Sequence, residues 1–209
     1  MKYEGKKAAF YTLGCKLNFS ETSSIAGTFK EAGFERVEFE DKADVYVVNT
    51  CSVTNQGDKA SRNIIRQATR KNPDAMVVVV GCYSQLKPQE IGQIEGVDLV
   101  LGTQEKFTIP NYLGNLSKKK TTEIRTTRLP EIKSYHQAFS WGDRTRSFLK
   151  VQDGCDYYCS FCTIPYARGR SRNDTIQNTV NEAEKAVEKG FKEIVLTGVN
   201  IGDFGKSTN

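Results

Sequence analysis

Three closely spaced cysteines are the residues most suited to inorganic chemistry. Cys155, Cys159 and Cys162 follow the pattern C-x3-C-x2-C within the stretch 151–172. Such a short loop can hold three thiolates around one centre, and soft thiolates select zinc, copper(I) or iron–sulfur clusters. Structural zinc takes four ligands, whereas the only histidine, His136, lies well before the motif. Three thiolates therefore favour a 4Fe-4S cluster with one open iron; a zinc knuckle and structural thiols are the alternatives.

The sequence before these cysteines predicts a parallel sheet. Apolar residues at helical spacing predict a helix from an N-cap at Ser20 to Gly33 and another over 56–71, and Pro88 fits the first turn of a further helix. Buried strands are predicted at 7–13, 43–49, 75–80 and 97–101. Strands that alternate with helices are typical of βαβ units, so we expect an α/β fold with a Rossmann-like or flavodoxin-like sheet.

Three further cysteines follow the ends of predicted strands. Cys15, Cys51 and Cys82 each come shortly after such an end. Parallel strands end at the same edge of a sheet, and open α/β sheets bind ligands at this carboxyl edge. We therefore predict a second three-thiolate centre. The alternative is three buried structural cysteines, because free cysteine is among the most buried residue types.

The C-x3-C-x2-C motif belongs to a second βαβ unit. A strand at 147–152 precedes it, and a helix capped by Asp174 follows before a second strand at 193–196. The inner face of that helix is expected to carry Ile176, Val180, Ala183 and Val187. In (β/α) barrels, sites lie at the carboxyl ends of the strands. Two strands cannot close a barrel and leave apolar faces uncovered, so we expect an amino-terminal fragment that is inactive alone.

Four segments of the chain resemble the radical S-adenosylmethionine methylthiotransferases. They are the cysteine motif, which has Phe161 before its last cysteine, and the segments TLGCKLNFSET (12–22), NTCSVTNQGDKASR (49–62) and VVVVGCYSQ (77–85). LGCKLN together with NTCSVTNQGDKASR is most similar to the subgroup that modifies threonylcarbamoyladenosine beside the tRNA anticodon. Other subgroups modify isopentenyladenosine in tRNA or an aspartate of a ribosomal protein.

The resemblance implies two 4Fe-4S clusters and S-adenosylmethionine as cofactors. It assigns the auxiliary cluster to Cys15, Cys51 and Cys82. It assigns the S-adenosylmethionine-binding cluster to Cys155, Cys159 and Cys162. It also places three residues near the bound cofactor, namely Phe161, Gly198 and Asn200. In this superfamily the open iron binds the amino and carboxylate groups of the cofactor, and an electron from the cluster releases a deoxyadenosyl radical.

The implied activity is a transferase reaction in tRNA modification. The radical removes the hydrogen at carbon 2 of the modified adenine, and the auxiliary cluster supplies sulfur. A neutral adenine C–H has no acidity for a side chain to use, so no catalytic acid or base is expected. The implied partners are the tRNA anticodon stem-loop, an electron donor such as a flavodoxin or ferredoxin, and a sulfur source. A zinc-binding RNA module and a persulfide relay protein are the rival classes.

The resemblance and the composition together divide the chain into three parts. Residues 6–117 form the auxiliary-cluster domain, 118–146 form a basic linker, and 147–209 begin the radical S-adenosylmethionine core as the first βαβ unit of a partial barrel. Lysine and arginine outnumber aspartate and glutamate in the linker region. This composition favours a solvated linker, contact with tRNA phosphates, or both.

Three arginines at alternate positions follow the cysteine motif. They are candidate contacts for phosphates or for the cofactor carboxylate, because arginine binds both groups bidentately. Structural ion pairing is the alternative role for Arg168, Arg170 and Arg172.

The composition excludes some classes of protein. The net charge of +5 permits a polyanionic partner without requiring one. No apolar run reaches the length of a membrane span, and neither a membrane nor a DNA partner is expected. Six cysteines without a signal-peptide pattern favour a reducing cytoplasm.

Overall fold

A six-stranded parallel sheet forms the first part of the protein in the computed structural model, which describes residues 2–140 and 146–206. The strand order is β2-β1-β3-β4-β5-β6. In chain order the strands are β1 (Lys7–Thr12), β2 (Glu35–Val37), β3 (Val45–Thr50), β4 (Met76–Gly81), β5 (Leu99–Leu101) and β6 (Glu123–Arg125). The four predicted strands are present as β1, β3, β4 and β5. The short strands β2 and β6 were not predicted, because three residues of mixed polarity show no clear period.

Helices cover both faces of this sheet. Ile25 and Phe29 pack on one face, and Ile65 and Ala68 pack on the other. The helices are α1 (Lys16–Ala32), α2 (Asn55–Lys71), α3 (Cys82–Leu86) and α4 (Pro88–Gly92), with a 3-10 helix at Glu105–Tyr112. The central strands β3 and β4 are buried along their whole length, so the sheet lies between two apolar layers. No helix in the described part of the chain is long and apolar enough to cross a membrane.

The first helix begins earlier than the sequence predicts. Ser20, predicted as the N-cap, lies inside α1, where its hydroxyl donates to the carbonyl of Leu17 at 3.0 Å. Cys15 is the N-cap residue instead, although its side chain makes no capping hydrogen bond. The prediction was wrong because a helix start at a cysteine gives no signal of the kind that serine provides. As a result, α1 starts directly at the first cysteine.

The second part of the chain has a smaller, three-stranded sheet. Its order is β11-β8-β7, with β8 and β11 parallel and β7 antiparallel to β8. The elements are β7 (Ala138–Phe139), β8 (Arg146–Lys150), β9 (Gln152–Asp153), α5 (Ile164–Arg168), β10 (Arg172–Asn173), α6 (Ile176–Glu188) and β11 (Glu193–Thr197). The N-cap of α6 is Thr175, not Asp174, and its hydroxyl accepts from the Asn178 N–H at 3.1 Å.

The apolar stripe of α6 does not face the small sheet as predicted. Ile176, Val180 and Val187 are exposed, whereas Ala186 is buried beside β8 and Ala183 is partly buried. Periodicity identifies an apolar stripe but not the element that covers it.

The predicted linker at 118–146 contributes a strand to each sheet. Its residues form β6 beside β5 and β7 beside β8. Buried Asp98 anchors the start of this segment: it accepts from the Lys119 N–H at 2.8 Å, from Lys118 Nζ at 2.7 Å and from the Val77 N–H at 2.8 Å. The side chain of Lys118 and the backbone of Lys119 therefore stabilise the fold. The limits of the three predicted parts of the chain remain predictions. Residues 141–145 and 207–209 lie outside the described residues.

We predict that Asp98→Ala destabilises the protein by about 2–4 kcal/mol. The change leaves two backbone N–H groups and one lysine without their buried acceptor. Urea unfolding followed by circular dichroism measures the loss, and trypsin should cleave faster after Lys118–Lys120. Asp74→Ala is the control: this aspartate is exposed, so its loss should change stability by less than about 0.5 kcal/mol. Equal stability of the two variants would contradict the anchoring role.

Candidate metal centres

Cys15, Cys51 and Cys82 lie at the carboxyl edge of the six-stranded sheet. Cys15 caps α1, Cys51 follows β3, and Cys82 is the first residue of α3, directly after β4. All three line one cavity of about 740 Å³. Cys15 is exposed, Cys51 is half-buried and Cys82 is buried. The topology therefore brings three thiols, which are far apart in sequence, to a single cavity.

Gly14 and Asn18 allow the segments that carry these cysteines to lie close together. Gly14 has φ +98°, and a Cβ at this position would lie 2.9 Å from the Cys51 sulfur, so only glycine leaves room for that thiol. The buried amide of Asn18 donates to the carbonyls of Leu13 at 2.7 Å and Thr50 at 3.1 Å. Asn18 thus ties the end of β1 to the end of β3. Sequence reasoning missed this residue, although a polar side chain three residues after Cys15 was visible.

The donor set at this cavity fits an iron–sulfur cluster. Sulfur ligands suit iron–sulfur centres. A cluster binds each cysteine to a different iron, so its ligands need not converge on one point. Among the described residues, no three His, Cys, Asp or Glu side chains converge to hold a single metal ion. The identity of Cys15, Cys51 and Cys82 as ligands remains a prediction.

The second cysteine loop lies between β9 and α5. Gly154 opens the loop with φ +74°, and a Cβ there would lie 2.0 Å from the Arg170 carbonyl oxygen, so glycine is required. The Cys155 N–H donates to the carbonyl of Gly169 at 3.0 Å, which closes the base of the loop. Within the loop, the Cys162 N–H donates to the carbonyl of Cys159 at 2.9 Å. The three thiols of this loop are half-buried or exposed, so a bound centre would be accessible from outside.

Phe161 projects from this loop and is 89% exposed. Nearby, Tyr158 has a positive φ of 45°, and its ring meets that of Tyr166 edge to face. Tyr157 donates from its hydroxyl to Asp203 at 3.0 Å, which connects the loop to the segment after β11. Two tyrosines of the loop therefore contact neighbouring segments, whereas Phe161 lies outside the protein core.

Buried Gln152 connects the segment after β11 to the start of the cysteine loop. Its side-chain oxygen accepts from the N–H groups of Val199 and Asn200, both at 2.9 Å. Its amide nitrogen donates to the carbonyl of Gly154 at 2.7 Å. Gly198 and Val199 line the same cavity as the amino-terminal cysteines. The segment around Gly198 thus borders the cavity of the amino-terminal cysteines, and Gln152 ties it to the start of the second cysteine loop. No sequence pattern signals this role of Gln152.

A group of buried charges joins the two parts of the chain. We call Glu21, Asp153, Lys106, Lys150 and Arg168 the buried charge cluster, since each is at most 3% exposed. Arg168 bridges both carboxylates, at 3.0 Å from Glu21 and 2.8 Å from Asp153. Lys106 pairs with Glu21 at 2.7 Å, and Lys150 lies 3.2 Å from Glu21 and 3.3 Å from Asp153. The cluster therefore includes α1, the 3-10 helix, β8, β9 and α5.

The cations outweigh burial in setting the ionisation of the two acids. Burial alone would raise the pKa of Glu21, but Arg168, Lys106 and Lys150 hold it well below its ordinary value. Burial likewise opposes ionisation of Asp153, and neighbouring cations lower its pKa. Both carboxylates are thus anionic at neutral pH.

At the histidine beside the cluster, burial and the neighbouring cations act in the same direction on the pKa. Burial, and then the positive charges of Lys150 and Lys106, lower the pKa of His136 to about 4. Its ring stacks on Phe107, 4.3 Å between centroids. The only histidine is therefore neutral and is placed beside the lysines rather than beside the cysteine loop.

The phosphate role predicted for the arginines does not hold for two of them. Arg168 is 1% exposed and is committed to the buried charge cluster. Arg172 is also buried: it donates to the carbonyls of Arg168 and Arg170, both at 2.8 Å, and lies 3.5 Å from Asp153. The alternative of structural ion pairing describes both residues. Arg170 is exposed, so it alone remains a candidate contact.

Two family models match this arrangement of two cysteine sites. Residues 149–205, which include the C-x3-C-x2-C loop, match the radical SAM superfamily. Residues 7–102, which include all three amino-terminal cysteines, match a family described as uncharacterized protein family UPF0004. The second cysteine loop thus lies in a segment that matches the radical S-adenosylmethionine proteins.

Curated relatives narrow this class. The chain is 46% identical over 202 residues to a Bacillus subtilis protein named threonylcarbamoyladenosine tRNA methylthiotransferase MtaB, covering 95% of the chain and 44% of that protein. It is 30% identical over 205 residues to a Clostridium botulinum tRNA-2-methylthio-N(6)-dimethylallyladenosine synthase, covering 93% and 45%. Over almost its whole length the chain is thus similar to tRNA methylthiotransferases, and its residues 149–205 match the radical SAM superfamily. It spans about half the length of the curated relatives it matches.

Solved structures show the same fold. The structure of TsrM from Kitasatospora setae, a radical S-adenosylmethionine methyltransferase, matches with a TM-score of 0.65 at 13% identity. The match covers 97% of this chain and 49% of that one. At this identity the likeness concerns the fold alone.

Acid should weaken the protein through Glu21. Its pKa is depressed in the folded state, so the stabilisation is present above the unfolded value of about 4.3 and is lost as pH falls below it. We predict that urea unfolding midpoints drop between about pH 5 and pH 3. In Glu21→Gln the drop should be smaller, although the variant starts less stable. An identical pH slope in the two proteins would contradict this role of Glu21.

Proposed function

We propose that this chain holds the two cluster-binding parts of a tRNA methylthiotransferase acting at carbon 2 of an adenine beside the anticodon. The supporting observation is the cavity at the carboxyl edge of the first sheet. It is lined by Cys15, Cys51 and Cys82 from one part of the chain and by Gly198 from the other. A substrate base placed there would contact residues of both parts at once.

The chain's own residues divide the work between the two sites. When bound, two 4Fe-4S clusters and S-adenosylmethionine supply the radical that removes the hydrogen and the sulfur and methyl that replace it. Cys155, Cys159 and Cys162 hold the cofactor-binding cluster on an accessible loop. Exposed Phe161 is proposed to border the cofactor. We further propose that Cys15, Cys51 and Cys82 hold the auxiliary cluster in the more enclosed cavity.

Gln152 is proposed to position the cofactor-binding segment after β11. It holds the N–H groups of Val199 and Asn200 through one side-chain oxygen. The Asn200 side chain donates to Asp203 at 2.9 Å, which further limits its movement. Gly198 lies against Gln152, where a Cβ would be 3.1 Å from the Gln152 side chain. This packing supports a segment that is ordered before the cofactor binds.

We propose threonylcarbamoyladenosine in the anticodon stem-loop of tRNA as the substrate. The relative named for this nucleoside is 46% identical, whereas the one named for dimethylallyladenosine is 30% identical. Methylthiolation of isopentenyladenosine in tRNA, or of a ribosomal aspartate, is the alternative. An electron donor such as a flavodoxin or ferredoxin, and a sulfur source, are the remaining proposed partners.

Nucleoside mass spectrometry of tRNA tests the proposal. The full-length gene containing this chain is expressed in a bacterial host whose own methylthiotransferases have been deleted. We expect 2-methylthio-threonylcarbamoyladenosine to appear in digested tRNA. Cys155→Ala should abolish it, because the loop then lacks a thiolate, and Lys192→Ala, at an exposed position just before β11, should retain it.

Other outcomes would revise the proposal in defined ways. A 2-methylthio group on isopentenyladenosine would replace the substrate but keep the reaction. Activity that survives Cys155→Ala would favour a sulfur-relay protein. No modified nucleoside in tRNA, together with zinc in the purified protein, would contradict methylthiolation.

A further inference from the structure

The buried charge cluster contains more positive than negative charge. Two carboxylates, Glu21 and Asp153, face the cations of Lys106, Lys150 and Arg168. Arg172 adds a fourth cation at the edge of the cluster. Among the described residues the ion pairs therefore leave an excess of positive charge in the interior. Buried charge is costly unless it is compensated, so an excess of this kind favours an anion nearby.

The cavity with the amino-terminal cysteines lies directly beside this excess. Arg168 lines that cavity together with Cys15, Cys51 and Cys82. Arg168 and the three thiols therefore face the same cavity, so the excess positive charge lies beside the proposed ligands.

Metal binding supplies the missing negative charge. Cysteines that bind a metal are deprotonated. Three thiolates outweigh the positive charge of an oxidised cubane core, so the bound assembly is anionic. Reduction adds one electron from a one-electron donor and changes no atoms, which makes the assembly more anionic still. Net charge and burial are among the factors that set the reduction potential of an iron–sulfur cluster.

We infer that the buried charge cluster compensates the charge of the auxiliary iron–sulfur cluster, and that Arg168 is the positioning residue through which it raises that cluster's reduction potential. The inference rests on the proposed ligands Cys15, Cys51 and Cys82, but not on the proposed tRNA substrate. Arg168 does not ligate iron or touch substrate in this account. It acts by placing a buried positive charge beside the thiolates.

Arg168 also connects the two sets of cysteines mechanically. It ends α5, the helix that follows Cys162. Its guanidinium donates to the side chain of Asn18 at 2.7 Å, and Asn18 in turn holds the carbonyls of Leu13 and Thr50. These carbonyls belong to the strand ends that lead to Cys15 and Cys51. One side chain therefore joins the helix after the second site to the backbone of the first.

The reduction potential of the auxiliary cluster tests the inference. The full-length protein carries Cys155→Ala/Cys159→Ala/Cys162→Ala, so that only the amino-terminal cysteines can hold a cluster. After anaerobic reconstitution with iron and sulfide, a dithionite titration is followed by electron paramagnetic resonance. Arg168→Gln and Lys106→Met should each lower the potential, because a cation that favours the reduced form is removed. Glu21→Gln should raise it, because a buried anion is removed.

Arg170→Gln is the matched control. It removes one arginine charge two residues from Arg168, but at an exposed position where water and salt screen the charge. Its potential should equal that of the parent. Iron and sulfide per chain are measured for every variant, and Lys106→Met replaces Arg168→Gln as the decisive cation variant if the latter does not fold.

The sign of the shift separates electrostatics from structural damage. General loosening of the site would move the potential in the same direction for Arg168→Gln and Glu21→Gln, whereas charge compensation predicts opposite directions. Shifts of the same sign, or no shift in loaded variants, would overturn the inference and leave the proposed function intact. Failure of the parent to bind iron would overturn the ligand assignment, and the inference with it.

Discussion

Arg168 and Glu21 lie 147 residues apart in sequence, and their ion pair at 3.0 Å is almost completely buried. The two parts of the chain depend on it, because neither charge has a low-cost alternative once removed from water. Asp153, on the strand before the cysteine loop, shares the same guanidinium at 2.8 Å. This interaction therefore joins the helix that follows Cys15 to the strand and the helix on either side of the second cysteine loop, although it involves no cysteine.

The parallel sheet supplies the second constraint. Every strand of the first sheet ends at the same edge, so residues from three separate crossovers meet there. Cys15 is the N-cap of α1 and Cys82 is the first residue of α3, which leaves little freedom in where these thiols lie. The buried amide of Asn18 then sets the spacing between two strand ends and receives the guanidinium of Arg168. Local helix starts, sheet topology and buried polar contacts together form the cavity.

The features that could be predicted from the sequence are those that depend on local patterns of residues. Runs of valine identified the central strands, and cysteines at equivalent strand ends indicated a shared edge. The short edge strand β6 was missed, because its residues are partly exposed and their pairing with β5 is non-local. The buried charge cluster was also missed, since charged residues ordinarily indicate surface. Only the tertiary structure shows that Lys106 and Arg168 are interior, and that Arg168, a candidate phosphate contact in the sequence, forms buried ion pairs.

The central claim is that the two sets of cysteines hold separate iron–sulfur clusters, and iron and acid-labile sulfide per chain test it most directly. The full-length protein is reconstituted anaerobically beside two triple variants, Cys15→Ala/Cys51→Ala/Cys82→Ala and Cys155→Ala/Cys159→Ala/Cys162→Ala. We predict about eight irons in the parent and about four in each variant. About four irons in the parent that vanish in the second variant would reduce the amino-terminal cysteines to core residues. Bound zinc without iron would contradict both sites.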